Sequence, residues 1–131
     1  MAILKHLASK SSNYGAVLTY LLYDHDENSG KVLRDANGNR ILRKEYWING
    51  INCDPFLFDA ECVKLNNEFH KNHTKGEIKS HHYILSFDPQ DVVDNELTGE
   101  KAQALGLAFA KKNFPGHQVL VCTHTDGSNI A

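Results

Sequence analysis

Apolar and polar positions along this 131-residue chain alternate in short runs of two different periods. Residues 2–7 make a brief apolar run suited to a strand. Residues 13–24 read as a helix, with Val17, Leu18, Leu21 and Leu22 forming its apolar stripe. Residues 31–43 suit a hairpin arm turning at Ala36-Asn37-Gly38-Asn39, because Asn-Gly tolerates the positive φ that such turns demand. A second such pair, Asn49-Gly50, predicts another turn, and Asp54-Pro55 breaks the chain again. Phe58, Cys62, Leu65 and Phe69 then recur at spacings of four, three and four, which is one face of a helix. Residues 82–87 alternate as a strand, with His82, Ile84 and Ser86 opposite Tyr83, Leu85 and Phe87. Thr98 is placed to cap a helix running to Asn113, with Ala102, Leu105 and Phe109 inward. Phe114-Pro115-Gly116 ends that helix, and residues 119–123 make a last strand.

The resulting order, β-α-β-β-α-β-α-β, predicts an α+β fold: a largely antiparallel sheet with helices packed on it, in one domain spanning residues 1–131. At 41% hydrophobic residues the chain can bury a core. Its net charge of -2 gives no overall basic footprint, which disfavours strong nonspecific nucleic-acid binding. Basic residues nonetheless gather in the first third, at Lys5, Lys10, Arg34, Arg40, Arg43 and Lys44. Three cysteines without a Cys-x-x-Cys spacing favour reduced thiols and a cytoplasmic location over a disulfide framework. No apolar stretch reaches transmembrane length, so no membrane partner is expected.

A few residues carry candidate chemistry. Tyr20 lies at the edge of the first helix's stripe, where a tyrosine serves packing or, as a phenolate, attacks phosphorus. The strand at residues 119–123 delivers His124 and Asp126 to a Gly-Ser-Asn loop, a common beginning for a metal site. The bland alternatives are a satisfied strand histidine and an ordinary turn aspartate. His82 admits the same two readings. Asp24, Asp26 and Asn28 open like a calcium loop, but Asp35 stands where the closing glutamate belongs, and calcium is set aside.

In order along the chain, Lys5-His6, Val17-Leu18-Thr19-Tyr20-Leu21, His82-Tyr83-Ile84-Leu85-Ser86-Phe87 and His117-Gln118 through His124-Thr125-Asp126 resemble the mobilization relaxases of conjugative elements, which are HUH-type enzymes. The resemblance implies that Tyr20 is the nucleophile that nicks one DNA strand at a transfer origin and keeps the 5′ phosphate. It implies His124 as first ligand of a divalent metal (Mn or Mg), with Asp126 beside it in the catalytic machinery. DNA contacts are expected from Lys5, His82, Arg34, Arg40, Arg43 and Lys44. The expected partners are single-stranded or hairpin DNA and accessory DNA-processing proteins. In the family a strand bearing His-x-His follows, and here Ala131 stands at the first of those histidines. The expectation is therefore an N-terminal relaxase part, weak in nicking and lacking that strand. An exposed sheet edge would then invite homodimerisation. Two other functions fit the same residues: a non-catalytic DNA-binding module and a self-associating structural fragment.

Overall fold

The computed structural model describes residues 2–11, 13–26, 28–29, 31–43, 46–71, 74–125 and 130–131, with Val17 described by its backbone alone. Strand β1 (Ala2–Ser9) leads to helix α1 (Tyr14–Leu22), and strand β2 (Tyr46–Ile51) to helix α2 (Phe58–Phe69). Strand β3 (Ser80–Phe87), helices α3 (Pro89–Asp94) and α4 (Gly99–Asn113) and strand β4 (Val119–His124) complete the order. The class is α+β, as the sequence predicts. The strands pair as two antiparallel two-stranded ladders, β1 with β3 and β2 with β4, where one sheet was expected. Among the described residues no helix is long and apolar enough to cross a membrane.

Local chemistry explains most boundaries. The Asn13 side chain caps α1 by accepting from the Ala16 amide at 3.2 Å, and Thr98 caps α4 by accepting from Lys101 N–H at 3.2 Å. Glu100 at the start of α4 and Lys111 and Lys112 in its last turn complement the helix dipole. Helix α1 ends at Leu22, two residues earlier than the apolar pattern suggests, because Tyr23 turns to extended backbone. The arm at residues 31–43 is held by single bridges, His25 to Val32 and Arg34 to Arg40, with Tyr23 joined to Leu42. Its turn falls where expected: Gly38 adopts φ +80° and donates its N–H to the Asp35 carbonyl at 3.0 Å.

The expected turn at Asn49-Gly50 is corrected. Both residues lie inside β2, paired with Val121 and Leu120. The turn comes just after, where Asn52 takes a left-handed φ of 58°. Gly50 is needed for another reason, since a Cβ there would run into the Cys53 carbonyl oxygen as the chain folds back.

Helix α4 covers the β2–β4 ladder. Trp47, Asn49, Val121 and Thr123 share the face against it. Gly99 lies under the Trp47 ring, and a Cβ on Gly106 would approach Val121 Cγ1 at 3.0 Å. Gln103, only 4% exposed, donates to Asn49 Oδ1 at 3.0 Å and to the Val121 carbonyl at 2.9 Å. It accepts from the Thr123 hydroxyl at 2.7 Å, so one amide fastens the helix to both strands. Ala102 and Ala110 are buried as well, whereas Leu105 is 52% exposed and not inward as expected. The expected face of α2 is likewise only partly covered: Phe58 is buried, but Leu65 and Phe69 are exposed.

The two ladders face each other across a cleft of about 460 Å³ lined by β3 and β4, with Tyr20 and Leu21 of α1 and Gly106 and Ala110 of α4 also on its walls. Residues 130 and 131 reach both ladders. The Phe87 N–H donates to the Ile130 carbonyl at 2.9 Å, and His124 and Ala131 exchange backbone hydrogen bonds of 2.7 and 3.1 Å.

Candidate active site

The last turn of a helix leaves four carbonyls without intrahelical donors. In α1 each finds a named partner. Leu22 O accepts from the Arg43 amide at 2.9 Å, and the C-cap Tyr23 O from His25 Nδ1 at 2.8 Å. Tyr20 O accepts from the Arg43 guanidinium at 3.0 and 3.3 Å. Leu21 O lies 2.6 Å from His124 Nε2, and because a carbonyl can only accept, that nitrogen carries the hydrogen. A cation and an imidazole N–H at the negative end of the helix are electrostatically apt. The arm and β4 thus hold the turn that presents Tyr20.

The Tyr20 side chain is 50% exposed and opens onto the cleft. Among the described residues, three groups flank its ring. The Arg43 guanidinium carbon lies 5.5 Å from its centroid. The His25 ring lies at 5.6 Å, tilted by 49°. The His82 ring lies at 6.4 Å, edge-on. Burial on β3 pushes the His82 imidazole below its ordinary pKa of 6.5, which favours its neutral form. Alternation along β3 sends His82 toward Tyr20 while Tyr83 packs on Phe114 at 4.9 Å.

The structure therefore brings together Tyr20, His82, Arg43 and, one residue beyond on the capped turn, His124. Lys5 sits exposed on β1 opposite Ile84, the neighbour but one of His82. The other arginines divide. Arg40 turns back onto α1, with its guanidinium 4.1 Å from the Tyr23 ring centroid and 3.5 Å from the Thr19 hydroxyl. Arg34 is exposed on the arm, where it donates to the Gly38 carbonyl at 2.9 Å. Asp126 and Lys44 lie outside the described residues. Sequence reasoning missed His25 at this site; its only signal was its place five positions after Tyr20.

The metal site implied by the resemblance is only partly covered by the described residues, because Asp126 lies outside them. Among them no group of three or more His, Cys, Asp or Glu side chains could hold an ion. His124, the expected first ligand, uses Nε2 to cap α1.

Residues 25–130 match the relaxase family described as MobA/VirD2-like, nuclease domain, and the chain belongs to that family. Two curated relatives from Staphylococcus aureus, both called Protein rlx, are 36% identical over 78 residues and 35% identical over 82. Those stretches cover 60% and 63% of this chain, and about a fifth (22%) of the length of each relative. No solved structure matches the chain. The family match begins after Tyr20.

Proposed function

We propose that this chain is the tyrosine-bearing portion of a DNA relaxase for conjugative mobilization. Tyr20 attacks one strand at a transfer origin, its oxygen bonds to phosphorus, and the 3′ oxygen leaves. The product is a 5′-phosphotyrosine. The observation that carries this reading is the half-exposed phenol on a fully capped helix end, opening onto the cleft beside His82. Transesterification conserves the phosphodiester bond energy, so the chemistry asks for a held nucleophile and charge stabilisation. Lys5 and Arg34 are the exposed cations nearest to a DNA path along β1 and the arm, while Arg40 and Arg43 support it by fixing α1. Lys44 and Asp126 keep their roles in the proposal as DNA contact and acid near the site. In a full relaxase site a divalent metal, Mn or Mg, would offset charge on the phosphate. This chain presents no described ligand set for it, and nicking of an ordinary phosphodiester is expected to be weak.

The test uses hairpin oligonucleotides with randomised single-stranded arms and a sulfur in place of the scissile 3′ oxygen, a leaving group that departs without metal assistance. A covalent adduct mapped by mass spectrometry to Tyr20 is expected. Tyr20→Phe should abolish it while oligonucleotide affinity changes less than twofold. Absence of an adduct, or its persistence in Tyr20→Phe, overturns the reading. Binding with a steep salt dependence but no adduct would instead favour a non-catalytic DNA-binding module.

A homodimer is the second part of the proposal. Strands β3 and β4 both border the cleft, where Ile130 bonds to Phe87 and Ala131 to His124. Unpaired strand edges attract another chain. Monomeric sedimentation across a hundredfold concentration range would sink the dimer and leave the nicking proposal standing.

A further inference from the structure

Resting on the reading of Tyr20 as nucleophile, we propose that His25 is the base that takes the phenol proton. An unaided tyrosine, with an ordinary pKa near 10, is almost wholly protonated at neutral pH and needs a partner. His25 is held as such a partner should be. Its backbone sits in the arm through the bridge to Val32, and its N–H donates to Asp24 Oδ1 at 3.1 Å. Its ring Nδ1 lies 2.8 Å from the Tyr23 carbonyl. That oxygen has no hydrogen to give, so Nδ1 carries the proton and the neutral ring keeps its lone pair on Nε2.

The ring lies 5.6 Å from that of Tyr20, centroid to centroid, and is part-buried beside it. The same carbonyl that fixes the tautomer belongs to the residue ending α1, so nucleophile and base are set by one turn of backbone. The other groups facing Tyr20 are poorer acceptors. Arg43 is cationic and already bound to the Tyr20 carbonyl, so it has no lone pair to offer the phenol. His82 meets the ring edge-on at 6.4 Å. In the step itself the Tyr20 O–H proton passes to His25 Nε2 while the phenolic oxygen bonds to phosphorus and the P–O3′ bond breaks. The 3′ oxygen takes a proton from water, and the imidazolium returns its own to solvent.

The experiment needs no DNA. N-acetylimidazole acetylates tyrosine phenolates, and the modified tryptic peptides are counted by mass spectrometry, with Tyr46 as internal reference. His25→Gln is expected to slow acetylation of Tyr20 at least tenfold relative to Tyr46 at pH 8. Above the ordinary pKa of a phenol the two proteins should converge. In a second measurement, nitrogen NMR of the folded protein at pH 8, Tyr20→Phe is expected to move the His25 Nε2 resonance. A His25→Gln rate within twofold of the parent at pH 8, or a His25 Nε2 resonance unmoved by Tyr20→Phe, overturns the assignment. Loss of the DNA adduct with the acetylation result intact would instead overturn the relaxase reading alone.

Discussion

Beneath α4 the β2–β4 ladder buries Thr123 and Gln103 and seats the Trp47 ring on a glycine, whereas the β1–β3 ladder leaves Ile3 69%, Leu4 50% and Leu7 45% exposed. Both are antiparallel pairs of similar strand length. What separates them is a helix fastened by a buried amide on one side and, among the described residues, no comparable cover on the other. The covered ladder is expected to hold most of the folding free energy. The bare one, together with α1, presents His82 and Tyr20. Stability and candidate chemistry are thus assigned to different halves of a small molecule, a division that functional surfaces often require.

The contrast breaks most readily at Gly99. A Gly99→Val side chain would have to displace Trp47, and overpacking of this kind costs about 1–3 kcal/mol, here toward the upper end. Urea unfolding should show a lower midpoint with an unchanged slope. Next comes Gln103→Leu, which leaves the Thr123 hydroxyl and the Val121 carbonyl without their partner. A loss of about 1–2 kcal/mol is expected by the same measurement, since unpaired buried polar groups carry their full desolvation penalty.

A smaller effect separates the halves by pH. Burial lowers the His82 pKa, so the unfolded chain takes up the proton more readily than the folded one. Stability from this group is complete above the ordinary histidine value of 6.5 and declines as pH falls through it toward the lower folded value. His82→Asn should flatten that slope in thermal melts between pH 7.5 and 5, whereas a Thr123→Val change on the covered ladder should leave it intact. Smallest of all, Ile3→Ser on the bare ladder should move stability by less than about 0.5 kcal/mol. A larger loss would mean that β1 is covered in solution, and would point to the dimer.

Elements with strong periodicity or explicit caps were legible in the sequence. The helix capped by Thr98, the alternation of residues 82–87 and the Asn37-Gly38 turn all carry their reason in adjacent residues. Asn49-Gly50 misled because the same dipeptide serves a turn or, as here, a strand whose glycine admits the returning chain. Leu105 misled because α4 turns small residues and an amide toward its ladder, a preference set by how closely helix and strands approach. Motif and alternation single out Tyr20 and His82 in the sequence, and in the structure their rings lie 6.4 Å apart. In the sequence Arg40 and Arg43 look like DNA contacts, because nothing local reveals that they reach back to α1. His25 was invisible for a related reason: its value lies in a tautomer fixed by a carbonyl two residues away.

Thiol chemistry adds little to this picture. Burial first, then the neighbouring Cys53, Asp59 and Glu61, pushes the Cys62 thiol up to about 11, and burial followed by the Glu61 charge raises Cys53. Both stay protonated and sluggish toward electrophiles at neutral pH.

The backbone bonds at Ile130 and Ala131 act as a clasp between the two ladders. The Phe87 and His124 amides, one from each ladder, are protected by neighbouring residues of a single segment. Deuterium exchange at these two sites would therefore follow one opening event, and their rates should rise together whenever the segment lifts. A pair of amides far apart in sequence thus becomes an internal gauge of when the cleft is open, readable without any label or ligand.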